Sequence, residues 1–99
     1  MKLGILLTTS PEHENTNTVI ELSKAAVKQG TSVSIFLMAD GTHNSVFEPF
    51  QVLIEQGVEI ILCAHNAAQR KVEVVENIVY GSQYDLATII KESNRFISF

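Results

Sequence analysis

The chain has 99 residues, 45% apolar and 18% charged, with seven basic and eleven acidic side chains and a net charge of −4. Its length suffices for one domain over residues 1–99 with a core of its own, and its basic residues are too scattered for a nucleic-acid surface, only Arg70-Lys71 being adjacent. No apolar run approaches the ~18 residues of a membrane span, a strand pattern from Lys2 onward makes a secretory leader unexpected, and the single cysteine excludes a disulfide framework and fits a reducing cytoplasm.

Lys2 to Thr9 is nearly continuously apolar up to its two threonines and predicts a buried first strand, ended by Ser10-Pro11. A polar loop follows through His13 to Asn17. Thr18-Val19-Ile20-Glu21 has the capping-box pattern of a helix start. Val19, Leu22 and Ala26, with Ile20 and Val27, form its apolar stripe, and Gly30 stops it.

Ser32 to Met38 alternates and is rich in Val, Ile and Phe, as a second strand should be. Ala39 to Ser45 reads as a loop. Pro49 suits the first turn of a short helix through Gln56, where its missing N–H is not needed. Gly57 ends that helix, and Val58 to Cys63 predicts the third strand. The stretch from Ala64 to Arg70 is helix-competent. Asn77 to Tyr80 predicts a short fourth strand. Ser82-Gln83-Tyr84-Asp85 is a second capping-box pattern, opening a helix that buries Leu86, Ile89 and Ile90. Arg95 to Phe99 is a terminal strand.

Repeated strand–helix–strand units imply an α/β fold with a parallel sheet and helices on both faces. Working loops in such sheets lie beyond the carboxyl ends of the strands. The loops after strands one, two and three hold His13, His43 and Cys63–His65, which are all the histidines and the one thiol.

Cys63 at its strand-to-helix junction has two readings. A helix N-terminus and a nearby cation (His65 or Arg70) would favour the nucleophilic thiolate; alternatively, cysteine is a small hydrophobe that packs inside. A zinc site usually shows paired ligands at close spacing. Only Cys63 and His65 are close, so no metal is expected. A Cys–His hydrolase could on paper use Asp40 and His43, but no cysteine-protease signature accompanies them. The first loop has no glycine and carries Glu12 and Glu14, which disfavours a phosphate-bearing cofactor. No cofactor is expected.

The order and spacing of several segments resemble the DsrE/TusD-like (DsrE/DsrF-like) family of sulfur-relay proteins over essentially the whole chain. They are Thr8-Thr9-Ser10-Pro11 after the first strand, Gly30-x-x-Val33, Met38-Ala39-Asp40-Gly41, Gly57 through Cys63 with a small-residue run and Arg70, and Gly81-Ser82 through Phe99. The resemblance implies a three-layer α/β/α fold with a mainly parallel five-stranded sheet (DsrEFH-like). It implies that Cys63 carries sulfane sulfur as a persulfide between donor and acceptor proteins, and assembly into homo-oligomers (trimers or hexamers) or hetero-oligomers with related subunits. The residues' own chemistry and loop positions add His65 and Arg70 as candidate thiolate stabilisers and His13, Asp40 and His43 as a candidate pocket edge. An apolar share this high in a chain this small independently makes self-association an expectation. The chain departs from the relay pattern at Lys71, where glycine is frequent, and it has no second cysteine. Branches of the family that lack the cysteine serve as partner subunits. The rival expectation is therefore a non-catalytic binding or assembly subunit with a buried Cys63.

Overall fold

Side-chain alternation in the strands sorts this molecule into two unequal apolar layers. The computed structural model describes residues 1–99. Its strands are β1 (Lys2–Leu7), β2 (Ser32–Leu37), β3 (Glu59–Cys63), β4 (Val79–Gly81) and β5 (Arg95–Ser98). They form one sheet in the order β4-β3-β2-β1-β5, every neighbouring pair parallel. The helices are α1 (Glu14–Lys28), α2 (Glu48–Glu55), α3 (Ala64–Gln69) and α4 (Gln83–Glu92), with a 3-10 segment over Ala39–Val46.

Leu3, Ile5 and Leu7 of β1, Val33, Ile35 and Leu37 of β2, and Ile60 and Leu62 of β3 point to one face. There they meet Val19 and Ile20 of α1, Phe50 and Leu53 of α2, and Ala67 of α3. The intervening residues Phe36, Ile61 and Cys63 point to the other face and pack against Ile89 and Leu86 of α4, with Leu6, Met38 and Phe96 around them. Three helices thus cover one face and a single helix the other. Connection handedness accounts for this. The chain steps from β1 to β4 in one direction and returns across the whole sheet to β5, and right-handed crossovers in opposite directions lie on opposite faces. Gly4 permits the close seat of α4, because a Cβ there would lie 2.5 Å from Ser93 Oγ and 2.8 Å from Ile89 Cγ2.

Several boundaries follow the sequence signals. Gly30 and Gly57 stop their helices with φ of +83° and +96°, a conformation that favours glycine. Pro49 lies in the first turn of α2. Ser82 and Asp85 form the expected reciprocal capping box of α4.

Three expectations are corrected. Of the residues expected on the buried face of α4, Ile89 is buried and Leu86 partly so, but Ile90 is 48% exposed, because α4 is the only helix on its side of the sheet and no neighbour covers its flank. Helix α1 begins at Glu14, not at the Thr18 box. His13 is its N-cap, with Nδ1 accepting from the Asn15 N–H at 3.1 Å, and buried Thr16 donates to the Ser10 carbonyl at 2.9 Å. Glu21 instead faces Lys24 at 3.4 Å. The segment after β2 is a 3-10 helix and not an open loop. Its polar side chains bond inward: Thr42 donates to the Ala39 carbonyl at 2.8 Å, and Asn44 donates to the carbonyls of Thr9 and Gly41 at 2.8 and 3.0 Å.

Candidate functional site

Because the sheet is wholly parallel, the loops after β1, β2 and β3 open on one edge. Cys63 closes β3 and is also the N-cap of α3. Its register partner on β4 is Gly81. From this pair the chain leaves in opposite directions: β3 feeds α3 on the three-helix face, and β4 feeds α4 on the other. Such a parting of connections between adjacent strands is where open α/β sheets form their ligand crevices.

Cys63 is a free cysteine, and the residue is 5% exposed. It faces the α4 side, floored by Phe36, Ile61 and Ile89, with Met38 and Leu86 beside it. On the β2 side the Met38 sulfur accepts a hydrogen bond from Gln83 Nε2 at 3.3 Å. On the β4 side Gly81 has no side chain. A Cβ there would collide with the Asp85 carboxylate, which is already engaged by the Ser82 N–H at 2.8 Å.

The residues on the opposite face form a separate charged clamp. Arg70 Nε donates to Asp40 Oδ1 at 2.8 Å, and its Nη1 donates to the Asn66 carbonyl at 3.3 Å. Asn66 Oδ1 in turn accepts from the Ala39 N–H at 2.9 Å. Ala39 has φ of +54°, unusual for a residue with a side chain, and these bonds hold it there. The turn after β2 is thereby fastened at two points to the short helix that follows Cys63, at Asn66 within it and at Arg70, its C-cap.

The hydrogen bond and charge of Arg70 hold the Asp40 carboxyl below the usual carboxylate range, and His43 acts in the same direction. Glu12 is lowered as well, chiefly by the Ser10 hydroxyl bonded to it at 2.6 Å, with a smaller contribution from His43.

The candidate residues named from sequence thus fall into three places. Asp40, His43 and Arg70 share one charged rim with Glu12. His13 caps α1, and His65 is exposed on α3 with no hydrogen bond or ion pair to its ring. Cys63 lies on the other face, and no hydrogen bond joins it to His65 or Arg70. No group of three or more His, Cys, Asp or Glu side chains is placed to hold a metal ion. A surface cavity of about 270 Å³ lies between α1 and the start of α2, lined by Pro11, Ile20 and Phe47 among others. A second hollow lies on the outer side of α4, and neither touches Cys63.

Sequence reasoning missed Met38, Gln83 and Asn66. Met38 lies on the same side of its strand as Phe36, and a strand-parity argument places it beside Cys63 once β2 and β3 are known to pair. Gln83 and Asn66 carry no local signal, since their contacts reach across 45 and 27 residues.

The family model described as the DsrE/DsrF-like family matches residues 1–99. Among solved structures, the chain is similar to the ychN protein from E. coli, with a TM-score of 0.83 and 17% identity over 99% of this chain and 97% of that one. It is also similar to the conserved protein of unknown function BT1422 from Bacteroides thetaiotaomicron, with a TM-score of 0.80 and 18% identity over 99% and 94%. No curated protein gives a significant match. At these identities the two structures speak for the fold: a five-stranded parallel sheet with helices on both faces.

Proposed function

The chain belongs to the DsrE/DsrF-like family, and from that premise we propose that it is a sulfur carrier that holds sulfane sulfur as a persulfide on Cys63. Family membership points to sulfur relay in general; the particular role rests on one observation. The only thiol of the chain ends β3 where the connections of β3 and β4 part to opposite faces.

The chemistry needs no metal or nucleotide. The Cys63 thiol loses its proton to solvent, and the thiolate attacks the outer sulfur of a donor persulfide. A sulfur–sulfur bond forms at Cys63, the donor's own sulfur–sulfur bond breaks, and its electron pair leaves on the donor thiolate. A partner thiolate then takes the outer sulfur and Cys63 leaves as thiolate. The two steps are the same exchange run in sequence, with no net oxidation. In this reading His65 and Arg70, on and just after α3, are the side chains proposed to steady the sulfur while it carries charge, with Arg70 itself paired to Asp40. His13, Asp40 and His43 edge the approach of the partner proteins. The carrier works in the cytoplasm as a homo-oligomer or with related subunits; no helix is long and apolar enough to cross a membrane.

A second reading is favoured by the burial of the sulfur among Phe36, Ile61 and Ile89. In it the chain is a non-catalytic binding or assembly subunit and Cys63 is core. Exposure to a persulfide donor followed by intact-mass measurement separates the two. The carrier gains the mass of one sulfur, and Cys63→Ser does not. Equal gain by the substituted protein, or no gain by the parent, sinks the carrier.

A further inference from the structure

Cys63 lies on the middle one of three neighbouring strands, β4-β3-β2. Strands in a sheet are about 4.8 Å apart, so groups leaving β4 and β2 must span roughly 10 Å to touch, passing over β3. Two side chains do so. Met38 directly follows Leu37, the register partner of Leu62, and therefore flanks Cys63 on one side. Gln83 comes two residues after Gly81, the register partner of Cys63 on the other side. Their side chains meet at 3.3 Å, amide to thioether. Met38 belongs to the same apolar cluster as the thiol, so the contact lies on the face toward which the sulfur points.

The remaining enclosure of the sulfur differs in kind. Phe36, Ile61 and Ile89 are buried core and move only if the sheet and α4 separate. Gly81 offers no side chain, and the Asp85 carboxylate leaves no room for one. Gln83, in contrast, is exposed and Met38 only partly buried. A thioether is a weak acceptor, and a methionine side chain turns about three bonds.

We propose that Met38 and Gln83 form a removable cover over Cys63, and that rotation of these two side chains admits the persulfide of a donor. Sheet and helix stay in place. Closed, the cover shields the sulfur from water and oxidants, in keeping with the 5% exposure of the Cys63 residue. This inference rests on the carrier reading for its purpose, but its test reads access alone.

The test is the rate at which Cys63 is alkylated by iodoacetamide, and by a bulkier aromatic disulfide, in the folded protein at fixed pH. Met38→Ala and Gln83→Ala should each raise the rate about tenfold, as expected when local opening no longer limits access, with the larger gain for the bulkier reagent. Leu53→Ala weakens the core on the other face and controls for general loosening. Unchanged rates in both truncations overturn the cover, and so does an equal rise in Leu53→Ala. If alkylation rises as expected while no variant takes up sulfur from a donor, the cover stands and the carrier reading falls.

Discussion

Asp40 and Cys63 illustrate what a single residue's sequence context reveals and hides. The third apolar run located the thiol at a strand end, and the structure places it there. Which face the sulfur points to was not legible, because it depends on the pairing of β3 with β2 and β4. Arg70 read as a cation close to the thiol in sequence; its actual anion, Asp40, is 30 positions earlier and reaches it only through the fold. The pair makes a prediction with a definite sign. An unperturbed aspartate titrates at about 3.9, and Arg70 lowers Asp40 in the folded protein. The small stability this contributes is present above the unfolded value and lost as pH falls through the depressed folded one. In a carboxyl carbon NMR titration, Asp40 should have its midpoint below that of an unperturbed aspartate, and Arg70→Gln should move it upward. Glu12 serves as the internal control, since its depression comes first from Ser10 and survives the substitution. An Asp40 midpoint indifferent to Arg70→Gln would refute the clamp.

Elements whose signal is apolar periodicity were legible in the sequence, and those built on polar bonding were not. Each of the five strands is an apolar or alternating run, and all were found to within a residue or two at most ends. The Ala39–Val46 segment was read as a loop because Asp40, Thr42, His43, Asn44 and Ser45 look like solvent-facing residues. Thr42, Asn44 and Ser45 are instead fully buried, and the hydrogen bonds of Thr42 and Asn44 run to backbone carbonyls. Such an element has no hydrophobic signature. Its seat depends on Gly41, where a Cβ would run into the Leu7 carbonyl oxygen at the end of β1. Since that neighbour is backbone, it cannot turn aside as a side chain could. Gly41→Ala should therefore lower unfolding free energy by about 1–3 kcal/mol, the usual range for overfilling a packed site. Chemical denaturation measures it. An unchanged midpoint would mean that the 3-10 segment shifts freely and does not brace the carboxyl edge.

For the whole molecule the telling feature is the asymmetry of its two faces. Three helices close one face of the sheet, whereas α4 alone serves the other and carries apolar side chains outward. Tyr84 is 79% exposed and Ile90 48%, and Val79 on the edge strand β4 is exposed as well. High apolar content in a short chain foretold some such surface, but not its location, which follows from the single return crossing between β4 and β5. The exposed apolar side chains on and beside α4 are the physical ground for the proposed assembly. Sedimentation equilibrium should then give a multiple of the 10.9 kDa chain mass. Tyr84→Glu combined with Ile90→Glu should reduce it to one chain while leaving the circular dichroism unchanged, because neither side chain is part of either buried core cluster. A parent that sediments as a single chain, or a doubly charged variant that still assembles, would remove the outer face of α4 from consideration. The outcome also bears on Cys63, since Gln83, half of its proposed cover, opens the same helix. A neighbour docked on α4 would stand near the thiol's entrance, and separating the chains should then change the alkylation rate of Cys63 without any substitution at the cover itself.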